Sequence, residues 1–227
     1  MVDALPRRAG DRGKAAPFQR RLVIMVKEPV AGRVKTRLAR EVGTATALRF
    51  YRANMSAAVR RLATDPRWQT VLSVAPAAAL DSRHLPADMA RTPQSDGDIG
   101  KRMQKSLAAP LGRNTMRAPG PVVLIGSDIP AVRPRHIAHA FRLLARNDIV
   151  FGPADDGGFW LVGLRRTPRV HDAFPRPVAW SAPDTLAECL DALVGRTVGF
   201  VETLSDTDTA ADLARLGAAS GRLILPK

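Results

Sequence analysis

Four short stretches of this chain carry side chains suited to chemistry on a charged substrate. The first is Lys27-Glu-Pro-Val-Ala-Gly32-Arg33-Val-Lys35-Thr-Arg37. A glycine that lets a ligand approach the backbone, with fixed cations around it and a helix start behind it, suits phosphate oxygens. A basic surface turn has the same composition, and the residues alone leave both readings open. The second stretch is Gly126-Ser-Asp128-Ile-Pro130. A carboxylate beside a phosphate site pairs naturally with Mg²⁺, which takes one or two carboxylates plus phosphate oxygens. An Asx turn ahead of Pro130 is the alternative. The third holds Asp206 and Asp208 just before Thr209 and Asp212. Capping-box spacing explains Thr209 and Asp212, but not the two acids before them, which are read as further metal ligands. The fourth is Asp155-Asp156-Gly157-Gly158-Phe159-Trp160. It has the makings of a polar hairpin turn, or of an acceptor pocket in which Asp156 orients or deprotonates a nucleophile.

Each stretch follows or precedes an element that would place it. Leu22 to Val26 is an apolar, β-branched run that reads as a buried strand, ended by Pro29. Lys27 therefore stands at the strand's carboxyl end, where ligands bind in open α/β sheets. Leu48, Tyr51, Met55, Val59 and Leu62 recur at helical spacing and predict a helix over 44–63. Strands are expected at 68–75, at 89–92, and at 121–125 just ahead of Asp128. A helix from Asp98 or Gly100 through Ala109 buries Ile99, Met103 and Leu107, and Pro134 opens another with Ile137 and Phe141 inward. His136 and His139 are expected on its outer face. Strands at 148–152, 159–164 and 197–201 follow, with a helix capped by Ser181 running to Val194 and a last helix at 210–216. The alternation predicts βαβ units in a mostly parallel sheet. The 159–164 strand breaks it and is expected to run antiparallel, making the sheet mixed.

Composition narrows the classes. The chain has 227 residues, a net charge of +14 and a single cysteine, Cys189, which excludes an internal disulfide framework and fits a reducing cytoplasm. No run of ~18 apolar residues suggests a membrane span. The basic residues are scattered arginines without aromatic interleaving, so a polyanionic small molecule explains the charge and nucleic acid is not the preferred partner. The histidines are dispersed, with no cysteine near them, so zinc is not expected. There is no G-x-S-x-G, Walker A or G-x-G-x-x-G motif to suggest a hydrolase, P-loop or Rossmann site. Residues 1–19, rich in Arg, Pro, Gly and Ala and without an apolar signal region, read as a disordered basic tail, and 20–227 as one domain.

Six motifs together resemble a known family. KEPVAGRVKTRLA (27–39), DGDIGKRM (96–103), LIGSDIP (124–130), PADDGGFWLVGL (153–164), AWSAPDTL (179–186) and DTDTAADL (206–213) are similar to the bacterial transferases described as radical-SAM/selenodomain-associated transferase 1, or DUF2064. These belong to the nucleotide-diphospho-sugar transferase superfamily, of GT-A fold. The resemblance implies a three-layer α/β/α domain that binds a nucleotide at the carboxyl edge of a mostly parallel mixed sheet. It implies that Lys27, Gly32, Arg33, Lys35 and Arg37 take phosphates, and that Gly97, Asp98, Gly100 and Arg102 lie near the base or ribose. Asp128 and Asp208, with Asp206, would hold Mg²⁺ or Mn²⁺. Asp155, Asp156, Gly157, Gly158, Trp160, Trp180 and Ser181 would form the acceptor side. One departure is Ala210-Ala211 where the family has Pro and Glu.

The expected activity is a Mg²⁺-dependent, cytoplasmic transferase acting on a small-molecule acceptor. Its donor is a nucleoside triphosphate or a nucleotide sugar. Lys27, Arg33, Lys35, Asp128 and Asp156 are its expected catalytic groups. A nucleotide- or RNA-binding module on the same fold is the non-enzymatic alternative.

Overall fold

A computed structural model of the protein describes residues 20–109, 120–167 and 170–220. The basic tail expected over 1–19 lies outside them. Seven strands form one sheet in the order β3-β2-β1-β4-β6-β5-β7. The strands are β1 (Arg21–Lys27), β2 (Gln69–Ala75), β3 (Ala90–Pro93), β4 (Val122–Gly126), β5 (Ile149–Pro153), β6 (Phe159–Leu164) and β7 (Val198–Phe200). The helices are α1 (Thr36–Val42), α2 (Thr44–Ala63), α3 (Ile99–Ala108), α4 (Pro134–Leu143), α5 (Thr185–Asp191) and α6 (Ala210–Ser220).

Strands β1 to β4 run parallel, with Ile24 opposite Leu72 on one side and Ile125 on the other. Such strands are buried on both faces, which is why 22–26 and 122–125 are unbroken apolar runs. Strand β6 lies antiparallel between β4 and β5, as its place in the alternation predicted, and β7 returns parallel to β5. Because side chains alternate across a strand, Leu22, Ile24 and Val26 face one apolar layer with Tyr51, Met55 and Leu62 of α2 and Ile137 and Phe141 of α4. Val23, Leu124, Phe151 and Val162 face the other, with Met103 and Leu107 of α3 and Cys189 of α5. Each fully buried side chain of this kind contributes about 1.5–3 kcal/mol. The result is the three-layer α/β/α sandwich with a mixed, mostly parallel sheet.

Two local expectations are corrected. The helix expected from Ser181 to Val194 is only Thr185–Asp191, with Asp184 before it. Ser181 takes φ 63° and belongs to a turn, not a cap. His136 is not on an outer face: it is buried at the start of α4, its Nδ1 accepting from the Arg133 amide at 3.1 Å and its ring edge-on to Trp160. Pro134 starts the helix, and the residue two places on turns back to satisfy the free amide before it.

Candidate functional site

The carboxyl ends of β1 and β4 open into a cavity of about 520 Å³, and the end of β2 opens onto a second of about 390 Å³ beside it. Lys27, Gln94 and Arg102 line both. The end of β1 is fixed from α2. The Tyr51 hydroxyl accepts from the Lys27 amide at 2.9 Å and donates to the Lys27 carbonyl at 3.0 Å, with Ser127 Oγ 3.2 Å away. Asn54, one helical turn on, donates to the Ser127 carbonyl at 3.1 Å. Helix α2 thus joins the loops after β1 and β4. Burial pushes the Tyr51 phenol above its ordinary value, so it stays a neutral donor and acceptor. Gln94 performs the same service between β1 and β2: its Nε2 donates to the carbonyls of Ser73 at 2.7 Å and Val26 at 3.3 Å, and its Oε1 accepts from Arg102.

Beyond Lys27 the chain turns at Gly32, whose φ is 74°. Lys35 is then held at φ 46° and ψ 48°, just ahead of α1. Its ammonium points into an acid cluster, 3.0 Å from Asp128 Oδ2 and 2.6 Å from Asp208 Oδ1. Burial pulls the ammonium down, and the Asp128 and Asp208 carboxylates more than reverse this, holding it above the ordinary lysine value. Arg37, largely exposed, stands 3.8 Å from Asp208 Oδ2. Arg33 lies apart, on the second cavity with Gly97.

Asp128, Asp206 and Asp208 each offer a carboxylate oxygen, and these oxygens lie within 4.8 Å of one another. A Cβ at Gly126 would come within 2.6 Å of Asp128 Oδ1, so glycine there leaves the carboxylate its space. Burial, then the neighbouring Asp208 and Asp128, pushes Asp206 up to about 6 against the opposing pull of Lys35. A site made of half-buried carboxylate oxygens with excess negative charge fits a hard dication such as Mg²⁺ or Mn²⁺.

The segment carrying Asp206 and Asp208 is held at both ends. The Leu204 amide donates to the Pro153 carbonyl at 3.1 Å. Asp212 Oδ2 accepts from the amides of Asp208 at 3.0 Å and Thr209 at 2.8 Å, while its own amide donates to Thr209 Oγ1. This is the capping box that the spacing predicted, with Asp in the Glu position. Glu41 of α1 accepts from the Ala210 amide at 2.9 Å. Burial pushes the Asp212 carboxyl up, but hydrogen bonds from Thr209 and Asp208 and from Arg215 bring it down to about 2 from 3.8. A depressed carboxylate stabilises the fold above its unfolded value, and that contribution is lost as pH falls through the folded one. Asp212→Ala is therefore expected to cost about 1 kcal/mol at neutral pH. Melting both proteins from neutral pH down to about 2 should show the gap closing at the acid end; a gap independent of pH would exclude the cap.

The opposite wall comes from β6 and the turns beside it. Trp160 lines the larger cavity but is almost wholly buried, its indole donating to the Glu202 carbonyl at 3.0 Å. Ser181 also lines it. The Trp180 ring packs against Gly100, where a Cβ would stand 2.1 Å from it. Gly100 is thus a packing glycine at the start of α3, while Asp98 caps that helix by accepting from the Lys101 amide at 2.8 Å. Asp155 accepts from the Ser205 hydroxyl, and Asp156 Oδ1 accepts from the Gly158 amide at 3.0 Å. Asp155 to Gly158 form a turn at the cavity's margin and do not line it. Asp156 is close enough to raise Asp206.

The structure thus gathers Lys27, Lys35, Arg37, Arg102, Asp128, Asp208, Trp160 and Ser181 around one cavity. Sequence reasoning placed Tyr51 in the core only and passed over Asn54, Gln94 and Ser127. Gln94 stands at the head of the DGDIGKRM stretch, and a polar residue directly after a strand was the available signal.

The model of one protein family, described as "Uncharacterized protein conserved in bacteria (DUF2064)", matches residues 58–182. No curated protein matches the sequence. Among solved structures, the chain is similar to a candidate nucleotide-diphospho-sugar transferase from Desulfovibrio desulfuricans G20, with 26% identity, a TM-score of 0.76, and coverage of 91% of this chain and 90% of that one. It shares its fold with 4-diphosphocytidyl-2C-methyl-D-erythritol synthase from Anaerococcus prevotii DSM 20548, at 10% identity and a TM-score of 0.54, covering 90% of this chain and 99% of that one. It also shares it with glucosyl-3-phosphoglycerate synthase from Mycobacterium tuberculosis, in complex with Mn²⁺, UDP-glucose and glycerol 3-phosphate, at 10% identity and a TM-score of 0.53, covering 93% and 82%. The fold is that of the nucleotide-diphospho-sugar transferases, and these neighbours include both nucleotidyl- and glycosyltransferases.

Proposed function

The chain belongs to the DUF2064 family, and on that premise we propose that it is a divalent-metal-dependent transferase that binds a nucleotide over the carboxyl ends of β1, β2 and β4. The reaction we favour is nucleotidyl transfer to a small-molecule acceptor. The observation that carries it is a cluster of three acids, Asp128, Asp206 and Asp208, of which Asp128 and Asp208 line a cavity edged by Lys27, Lys35, Arg37 and Arg102. A leaving pyrophosphate develops more charge than one carboxylate-bound ion offsets, and a set of fixed cations is suited to it.

In this reading Asp128 and Asp208, with Asp206, hold the dication, which supplies positive charge beside the phosphates. Lys27 and Arg102, which border both cavities, hold the triphosphate, and Arg33 with Gly97 and Asp98 flank the base or ribose. The acceptor oxygen attacks the α-phosphorus. The bond from that phosphorus to the bridging oxygen breaks, and pyrophosphate leaves with the electron pair. Asp156, at the margin, takes the proton of a hydroxyl acceptor, and Trp160 and Ser181 shape the acceptor's side of the cavity.

The test is a screen of nucleoside triphosphates and nucleotide sugars with Mg²⁺, reading pyrophosphate release separately from sugar transfer. Metal-dependent pyrophosphate release with one base is expected. Sugar transfer without pyrophosphate would favour the second reading, glycosyl transfer, to which the likeness to the Desulfovibrio protein lends weight. Salt-sensitive binding without turnover would mean a binding module. Lys27→Ala should weaken nucleotide affinity by about 10- to 100-fold, since a charge-assisted hydrogen bond contributes roughly 1.5–3 kcal/mol. The loss should be greater for a triphosphate than for the monophosphate; equal, small losses would reduce these cations to surface decoration.

A further inference from the structure

Lys35 stands where a dication would be needed. Its Nζ touches Asp128 Oδ2 at 3.0 Å and Asp208 Oδ1 at 2.6 Å, and its side chain is 5% exposed. Those two residues supply two of the three clustered carboxylates. A buried ammonium at hydrogen-bond distance neutralises them in the free protein. It also repels any second cation approaching the same oxygens, and a buried charge is stable only while it is paired. Lys35 is a non-glycine residue in the left-handed region, with φ 46°, immediately before α1 and three residues after the Gly32 turn. It is not locked into the helix, and it lines the same cavity as Lys27 and Arg102.

We propose that Lys35 is the resident counter-ion of the acid cluster and trades places with the metal. The ammonium leaves Asp128 and Asp208 when the dication binds, and then takes a phosphate oxygen of the nucleotide in the cavity. Metal and nucleotide binding are thereby coupled through one side chain, because each favours the displaced position of Lys35. The free protein is protected from holding metal in the absence of substrate. This rests on the metal reading above, and goes beyond it by giving Lys35 two successive partners.

Mn²⁺ alone is the probe. Isothermal titration should show Lys35→Met, which keeps the apolar stem and drops the charge, binding Mn²⁺ at least about tenfold more tightly than the wild type, a decade in Kd. Unchanged or weaker binding in the variant overturns the exchange while leaving the metal site in place. The wild type gives a second readout that requires no variant to fold. Reductive methylation followed by peptide mass spectrometry should find Lys35 modified several-fold faster with saturating Mn²⁺ than with chelator. Equal or slower modification also overturns the proposal. If neither protein binds Mn²⁺ at millimolar concentration, the metal reading falls with it, and the ammonium is the cluster's permanent cation.

Discussion

On the proposed function, Asp128→Asn is expected to lower turnover by at least ~10²-fold, because a dication held at the reacting phosphates would contribute several kcal/mol. The residue has the position for it. It follows β4, a strand buried on both faces, and Gly126 leaves its Oδ1 the space that any Cβ would take, at 2.6 Å. The substitution keeps the shape and removes the charge. It also leaves Lys35 paired with Asp208 at 2.6 Å, so the fold should be retained, with far-ultraviolet dichroism and melting close to wild type. The measurement is steady-state turnover at saturating and at limiting Mg²⁺, with the deficit widening as Mg²⁺ falls. Turnover near wild type at limiting Mg²⁺ would remove Asp128 from the metal site.

Gly157→Ala is expected to destabilise the protein by about 2–5 kcal/mol, from left-handed strain in a residue with a Cβ and from forced displacement of packed backbone. Gly157 has φ 83°, and a Cβ there would stand 1.7 Å from the Pro183 carbonyl oxygen and 2.6 Å from its carbon. Those atoms are main chain and cannot rotate away. The Gly157 carbonyl also accepts from the Leu186 amide at 3.0 Å, so the turn is tied to the first turn of α5 as well as packed on the segment before it. Separating them moves Ser181, which lines the cavity. Urea unfolding measures the loss, and nucleotide affinity should fall with it. A variant within about 0.5 kcal/mol of wild type, the usual range for unremarkable surface changes, would mean that this contact does not hold the wall.

The sequence-level reading succeeded where a single segment contains its own reason. The apolar runs at 22–26 and 122–125 are strands because strands between strands must be apolar throughout, and Tyr51, Met55, Val59 and Leu62 face the sheet as read, with Leu48 partly buried. The clustering of Asp128, Asp206 and Asp208 was legible because Asp128 closely follows a buried strand and the capping box leaves Asp206 and Asp208 without a local role. Tyr51 was not, because its spacing marks it as core and only the fold brings its hydroxyl to the end of β1. The truncated helix before Asp191 has a similar cause: Ser181, Pro183 and Asp184 satisfy the local cap pattern, but contact with Gly157 requires a turn there. The spacing of Arg33, Lys35 and Arg37 implies unequal roles, with Arg33 and Lys35 on phosphate and Arg37 on an acid elsewhere. Arg33 stands apart on the second cavity, whereas Lys35 and Arg37 both reach Asp208, at 2.6 and 3.8 Å, and the acids that Lys35 meets lie far along the chain.

The order of the sheet also bears on how copies of this protein behave toward one another. A strand with an unpaired side is a template for another chain's backbone. Here the two outermost strands are β3, with four residues, and β7, with three, while the longer apolar strands lie between them. Strand β3 ends in Pro93, which has no amide to offer, and its Arg91 reaches the carbonyls of Leu80 and Pro86, tying the rim to the connection before it. Strand β7 carries Gly199 at its centre, with little side chain for a neighbour to pair against. Short, interrupted and partly tethered rims give edge-to-edge growth few backbone groups to extend. Strands as apolar as β1 and β4 can therefore be carried without making the sheet itself a site of aggregation.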